Sequence, residues 1–491
     1  MKLSELIDGL DIVEIDGETE FEITGVYRDH RACMPGSLFV CIEGFKTDGH
    51  LYIDSALENG VVALIVQKEV KAPTGVTVVR TKNTRYALAF VSDVFFGHPS
   101  RKLTIAGITG TKGKTTITYM IRSIAKAAGI NSGLIGTVEN LIGDEKIHSV
   151  VTTPESYDLQ RMLSHMVEKE VGLVAMEVSS QGLALNRVSC CDFNIGVFTN
   201  LFNDHISPNE HKDIEDYFSA KLKLFDMCET GLINADFKDA DRVMKHAEQM
   251  NCKVYTYGID SNADIMARNI AHNVSGDEMS VSFDLVSPWL SGRMELGLPG
   301  KFNLSNALAA IGVCLLVGVS HEAICEGIKA VKVRGRVEIV KAGQDFSVIV
   351  DYAHNAASLE NLLKMLREFC AERIITVFGC GGDRAKDRRF EMGEVSGRLS
   401  DLTVITSDNP RTEDPVLIIE NIEEGVRKTS GEYIKVADRR KGIEFALCQA
   451  KKGDLVVIAG KGHETTQVFS DRTEHFDDVE IANDILRGKM A

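Results

Sequence analysis

The segment Gly107-Ile-Thr-Gly-Thr-Lys-Gly-Lys-Thr-Thr116 has the residue types of a phosphate cradle. A glycine-rich loop running into a helix turns backbone N–H groups and the positive end of the helix dipole toward an anion. In such a loop Lys114 neutralises the β- and γ-phosphates of a nucleotide, and the Thr115 hydroxyl binds Mg2+. The strict GxxxxGK[ST] pattern is not met, because Ile108 stands where its first glycine belongs. A variant loop is expected; the plainer alternative is a glycine-rich turn with a chance Lys-Thr pair. No NKxD guanine signature accompanies it, which disfavours a GTPase.

Further candidates lie downstream. Glu177 closes the apolar run Val171–Met176, and His205 follows Thr199-Asn200-Leu-Phe-Asn-Asp204. Carboxylate, hydroxyl and imidazole could share Mg2+, although imidazole is an uncommon ligand for it. Taken alone, His205 reads as a hydrogen-bonded loop histidine. Lys221 flanks a helical face of Phe218, Leu222 and Phe225, and on physical grounds alone it reads as a solvated lysine.

The elements that must position these residues are short apolar runs: Leu103–Thr109, Val171–Met176, Asn194–Phe198, Ser347–Val350, Ile374–Phe378, Leu402–Thr406 and Leu455–Ala459. They are apolar throughout rather than alternating, as parallel strands covered on both faces are. Between them lie helical patterns, such as Ile117, Ile121, Ile124 and Ala128 ending at Gly129. The class is α/β, and each run ends in polar or glycine-rich residues, where doubly wound sheets bind ligands. Besides the phosphate loop, these ends include Asp351-Tyr-Ala-His354, Gly-Cys-Gly-Gly-Asp-Arg384, Asp408-Asn-Pro-Arg411 and Gly460-Lys-Gly-His-Glu464.

With 491 residues, about three domains are expected. Breaks near Gly97–Arg101 and Lys332–Gly335 give domains 1–100, 101–332 and 333–491. A hydrophobic content of 44% fills several cores and excludes global disorder. The longest apolar stretch, Ala307–Val319, is 13 residues, too short to cross a bilayer. The amphipathic, acidic start after Met1 does not read as a secretory signal, so a cytoplasmic protein without membrane insertion is expected. A net charge of −16 argues against nucleic-acid partners. The 11 cysteines lack CxxC pairs or zinc spacing and read as reduced thiols, with Cys190-Cys191 in a segment resembling a buried strand.

Together these residues resemble the Mur ligase family, ATP-dependent amide-forming ligases of peptidoglycan precursor synthesis, with matching motifs from about Val26 to Glu464. The resemblance implies three α/β domains: an N-terminal UDP-substrate domain, a central P-loop ATPase domain and a Rossmann-like C-terminal domain. It implies that Gly110, Thr111, Lys112, Gly113, Lys114, Thr115 and Thr116 bind ATP, with Asn303, Asn306, Arg336 and Asp351 completing that site. Lys221 matches a lysine carbamylated in the family. As a carbamate it would join Thr115, Glu177 and His205 at Mg2+, and Lys114, His205, Lys221 and Arg336 become the catalytic set. Carbamate formation needs a neutral amine, hence a desolvated lysine.

His30, Thr152, Thr153, Ser179 and Arg187 match positions that bind a UDP-muramoyl-dipeptide. Arg384, Asp408, Asn409, Arg411, Gly460 and Glu464 match a pocket for meso-2,6-diaminopimelate, whose distal carboxylate Arg411 can grip bidentately. The implied reaction activates the D-glutamate γ-carboxylate as an acyl phosphate, which the amine of diaminopimelate attacks. The enzyme would be a monomer acting on small molecules. A lysine-adding ligase, a folylpolyglutamate synthase-like ligase and a non-catalytic nucleotide-binding paralogue are the alternatives. Departures from the family pattern are His30 for Ser, Gln181 for His, Leu185 for Gln, Arg334 for Pro, and Asn355-Ala356 for Thr-Pro.

Overall fold

The computed structural model describes residues 1–45, 47–202, 206–207, 210–275, 278–370 and 372–490. The chain forms two compact units: Met1–Met266 with Val286–Leu290 and Asn306–Gly327, and Ala267–Leu285 with Ser291–Ser305 and Ile328–Ala491.

The first unit holds two sheets. Five strands run in the order Ile12–Asp16, Thr77–Thr81, Ala63–Val66, Leu38–Val40, Val26–Tyr27, parallel except for the first pair. Leu38, Val40, Ala63 and Ile65 pack against Ala87, Leu88 and Val91 of the helix Thr84–Phe95, while Phe39, Leu64 and Val66 face Ile53 and Ala56 on the other side. Successive side chains on a strand point to opposite faces, so a sheet covered twice must be apolar at every position.

The second sheet has a parallel core in the order Lys253–Gly258, Cys228–Asn234, Phe193–Phe198, Ile105–Thr109, Leu173–Glu177, Ser132–Ile135. Two short antiparallel strands, Asn140–Ile142 and Glu145–Ile147, follow Ser132–Ile135. Ile105–Thr109 comes first in the sequence yet lies in the middle, so the connections leaving it and its neighbours wind to opposite sides. That switch point opens a crevice at the carboxyl ends of the strands. The helix Lys114–Ala127 begins there, with Ile117, Ile121 and Ile124 buried and Gly129 closing it at φ 68°.

In the second unit the sheet order is Glu338–Ile339, Ser347–Asp351, Leu455–Ala459, Ile374–Phe378, Leu402–Ile405, Tyr433–Lys435, antiparallel only at the first pair. Leu455, Val457 and Ala459 join one core and Val456 and Ile458 the other. Each of the seven apolar runs coincides with a strand to within about two residues at either end. The α/β class is therefore as the runs indicate, and all 11 cysteines are free. The Cys190-Cys191 pair corrects one expectation. It lies in the turn before Phe193–Phe198, with Cys190 at φ 65°, in the left-handed region rather than the extended one.

Candidate functional site

The phosphate loop is shaped by two glycines. Gly110 (φ 141°) lies against Thr199 Oγ1, and Gly113 (φ 94°) against Asn306 Oδ1; a Cβ at either would collide with that partner. The Lys112 N–H donates to Asn200 Oδ1 at 2.9 Å, and Thr199 Oγ1 donates to the Lys112 carbonyl at 2.7 Å. The loop is thus held from the end of Phe193–Phe198, and Lys114 Nζ caps the carbonyls of Gly110 and Thr111 at 2.8 and 3.1 Å. Thr116 is buried at the first turn of the helix that follows.

Glu177 sits at the end of the neighbouring strand and is 1% exposed. Its Oε1 accepts from Thr115 Oγ1 at 3.0 Å and from the Thr137 N–H at 2.9 Å, and Oε2 accepts from Thr137 Oγ1 at 3.1 Å. Thr137 was invisible in the sequence, because nothing in its local pattern marks it. No lysine or arginine among the described residues forms an ion pair with this carboxylate. A buried anion among hydroxyl oxygens, without a protein cation, suits a hard divalent ion.

Lys221 is not the solvated residue that its spacing suggests. It is 1% exposed, donates Nζ to the Gly110 carbonyl at 3.0 Å, and lies 4.3 Å from the centre of the Tyr217 ring. The α-helix Ile214–Leu222 tightens into a 3-10 turn over Lys223–Met227, and Phe218 and Phe225 join one buried cluster. Tyr217 and Lys221, four apart, share the face turned to the phosphate loop. The Tyr217 hydroxyl meets Thr111 Oγ1 at 3.1 Å, and its ring packs beside the buried His211, which bonds Ser180 Oγ at 2.9 Å and Asp216 at 3.0 Å. His205 lies outside the described residues.

A second cluster in the same unit gathers Thr153, Ser179 and Arg187. Thr153 Oγ1 donates to the Glu177 carbonyl at 3.0 Å and accepts from the Ser179 N–H at 2.9 Å. Ser179 caps the helix Ser180–Ala184. Arg187 donates to the Thr153 carbonyl at 3.1 Å and pairs with Glu155, which Arg85 approaches from its other oxygen at 3.9 Å. Thr152 bonds Thr137 through the two hydroxyls at 3.0 Å. Arg85 escaped the sequence reading, since a lone arginine on a helix has no distinguishing neighbour. Burial lowers its pKa most; Glu155 opposes this, and Arg187 and Arg28 add to it. His30 stacks flat on Tyr52, with centroids 4.5 Å apart and planes 5° from parallel.

The second unit brings together the remaining candidates. Asn303 is buried and donates to the Pro299 carbonyl at 2.8 Å. The Arg336 guanidinium lies 4.8 Å from the centre of the Tyr352 ring, with its Nε buried and unbonded. Asp351 accepts from the N–H groups of Val337 and Ala353, each at 2.8 Å, and burial pushes its carboxyl up against the opposing pull of Arg336. Val337 has φ 46°, a strained conformation for a β-branched residue, and the buried Asp351 bond holds it there. Tyr352 also packs against His354 and His463, with centroids at 4.5 and 4.7 Å.

Beyond the ends of Leu402–Ile405 and Leu455–Ala459, the two strands that flank Ile374–Phe378, Asn409 Nδ2 donates to Glu464 Oε2 at 2.7 Å, and the Asn409 N–H donates to Asp408 at 2.6 Å. A Cβ on Gly460 (φ 112°) would stand 2.9 Å from Asp408 Oδ2, so glycine permits the two strand ends to approach. Arg411 (φ 54°) donates Nη1 to the Gly382 carbonyl at 2.8 Å and its N–H to Val468 at 3.0 Å. The exposed Arg384 flanks Gly381 on the side that Arg411 also borders. Beneath, the fully buried Arg439 binds Asp478 at 2.6 and 2.8 Å and donates to the carbonyls of Ser407 and Ala459. Lys461, 0% exposed, was not singled out, although it stands in the Gly460–Glu464 segment.

Comparison with known proteins agrees with this geometry. Residues 22–95 match the model for the Mur ligase family, catalytic domain; residues 108–314 match the Mur ligase middle domain, and residues 335–462 the glutamate ligase domain of Mur ligases. A protein of Alkaliphilus metalliredigens (strain QYMF) named UDP-N-acetylmuramoyl-L-alanyl-D-glutamate–2,6-diaminopimelate ligase is 44% identical over 489 residues, 99% of this chain and 98% of its own. A protein of the same name from Clostridioides difficile (strain 630) is 44% identical over 488 residues, covering 99% of both chains. A solved structure of a ligase of that name superposes with a TM-score of 0.73 at 28% identity, over 100% of this chain and 99% of the other. With identity at this level along its whole length, the chain belongs to the Mur ligase family.

Proposed function

We propose that this protein is an ATP-dependent ligase joining meso-2,6-diaminopimelate to the D-glutamate γ-carboxylate of UDP-N-acetylmuramoyl-L-alanyl-D-glutamate. The observation that carries this reading is the strand-end cluster in which Asn409 binds Glu464 and Arg411, two residues on, binds the Gly382 carbonyl, in a chain whose full-length relatives bear that ligase's name. Arg411 offers a planar donor pair to a distal carboxylate, and Glu464 offers an acceptor to the distal ammonium. Arg384, Asp408 and Gly460 border the same place.

Residues 110–116 bind the triphosphate of ATP, and Asn303, Asn306, Arg336 and Asp351 complete the nucleotide site. His30, Thr152, Thr153, Ser179 and Arg187 bind the UDP-muramoyl-dipeptide; the flat His30–Tyr52 pair is suited to stack on a base. Thr115 and Glu177 would hold Mg2+, with Lys221 as a carbamate and His205 as further ligands; the ion would supply charge neutralisation at the phosphates. The buried position of Lys221 supports the carbamate, since a desolvated amine is the form that reacts with CO2.

A free carboxylate is a poor acyl donor because oxide is a poor leaving group. Transfer of the γ-phosphoryl group gives an acyl phosphate and ADP; the amine of diaminopimelate then displaces phosphate and forms the amide. Lys114 and Arg336 stabilise charge on the transferring group. The division into domains 1–100, 101–332 and 333–491 belongs to this reading and is supported by the three family-model matches. So does a monomeric, cytoplasmic enzyme of cell-wall precursor synthesis; among the described residues no helix is long and apolar enough to cross a membrane.

The test is phosphate release with ATP, Mg2+ and the UDP-muramoyl-dipeptide, comparing meso-diaminopimelate with L-lysine. Release that depends on diaminopimelate is the expected result. Release with lysine alone would keep the enzyme class and overturn the role of Arg411. Silence with both would point to a non-catalytic paralogue, and a glutamate-dependent signal on a folate substrate to a folylpolyglutamate synthase.

A further inference from the structure

Lys461 is a lysine without solvent exposure, directly after the strand Leu455–Ala459 and Gly460. Burying an ammonium costs several kcal/mol unless its three donors are all met. Here they are: Nζ donates to Asn409 Oδ1 at 3.0 Å, to Glu464 Oε2 at 3.2 Å and to the Thr466 carbonyl at 2.6 Å. Asn409 Oδ1 also accepts from the Val468 N–H at 3.0 Å. Two donors on Oδ1 fix which way the amide faces, so Nδ2 must point at Glu464, and it does, at 2.7 Å. Glu464 Oε2 is then held by two donors, while Oε1 carries no hydrogen bond from the described residues.

We infer that Lys461 is a positioning residue of the amino-acid pocket: it locks Asn409 and Glu464 so that Glu464 Oε1 is presented to the distal ammonium of the incoming amino acid. Its charge has a second effect. A cation behind Glu464 balances the carboxylate, so the pocket favours a zwitterionic centre, ammonium plus carboxylate, over the lone ammonium of a lysine-like side chain. This inference rests on the diaminopimelate reading above.

The experiment compares full-length wild type, Lys461→Met, Lys461→Gln, Glu464→Gln and the double variant Lys461→Met/Glu464→Gln by steady-state kinetics for each substrate. For Lys461→Met the KM for diaminopimelate should rise about tenfold or more, with the KM for ATP changing less than about twofold. Lys461→Gln, which keeps hydrogen bonding without the charge, should recover part of the loss and still use L-lysine relatively better than wild type does. Adding Lys461→Met to Glu464→Gln should cost far less than adding it to wild type, because the two act through one carboxylate. An unchanged KM for diaminopimelate, an equal rise for all substrates, additive losses, or failure of both Lys461 variants to fold would each overturn the inference in favour of a purely structural lysine. Wild type silent with diaminopimelate would instead overturn the functional reading on which the inference rests.

Discussion

Lys114 and Lys221 both donate to one oxygen, the carbonyl of Gly110, at 2.8 and 3.0 Å. The two side chains thus meet at one carbonyl of the loop, and conversion of Lys221 to a carbamate would place an anion beside the Lys114 ammonium. That pairing frames the first prediction. If Lys221 works as a carbamate, activity should fall in buffer stripped of CO2 and return with added bicarbonate, since the carbamate forms from the neutral amine and CO2. Lys221→Ala should lower kcat by about 100-fold or more and abolish the bicarbonate response. A bicarbonate-independent wild type would remove the carbamate from the mechanism.

Arg411 is expected to decide amino-acid choice. Arg411→Ala removes a charged hydrogen-bond pair of about 2–3 kcal/mol, so the KM for diaminopimelate should rise about 30- to 150-fold while use of ATP is kept. Equal kinetics in the variant would refute carboxylate recognition by this residue.

The buried pair Arg439–Asp478 supports the floor of the same pocket. Asp478→Ala leaves the Arg439 guanidinium buried beside the carbonyls of Ser407 and Ala459 without its counter-ion. Urea denaturation should show a loss of about 3–5 kcal/mol. Replacement of both partners by apolar residues should cost less than either single change.

His463 sets a pH limit on stability. Burial, with the charges of Arg336, Arg334 and His354, pulls its imidazole down to about 4. Below pH about 6.5 the unfolded chain takes up a proton that the folded one refuses, so stability is full above that pH and declines as pH falls to about 4. The contribution is up to about 3 kcal/mol. His463→Phe should flatten the urea midpoint between pH 6.5 and 4 relative to wild type; an unchanged slope would assign the acid sensitivity elsewhere.

Much of the architecture was legible from local pattern. The apolar runs mark the strands because a strand covered on both faces must be apolar at every position, and Gly110, Gly113 and Gly129 mark the loop and helix end because their backbones are left-handed or too close to a neighbour for a Cβ. The strand-end motifs at Asp351, Asp408 and Gly460 were legible for the same reason: in a parallel sheet all strands deliver their carboxyl ends to one edge.

What the sequence could not decide is which distant residues share a carboxylate or a carbonyl. Thr137 reaches Glu177 across 40 residues, and Arg85 approaches Glu155 from the helix Thr84–Phe95. Lys221 looked solvated because it flanks the face of Phe218, Leu222 and Phe225; those residues do fill one core, and only packing shows that the flanking face, with Tyr217, lies against the phosphate loop. Lys461 stood in a recognisable segment, yet its burial and its hold on Asn409 and Glu464 come from two strand ends 52 residues apart in sequence. Apolar runs determined the strands and motif spacing the glycine-rich loop, because those depend on neighbours along the chain. The tertiary structure decided the charge environment of each site group, because burial and pairing depend on neighbours in space.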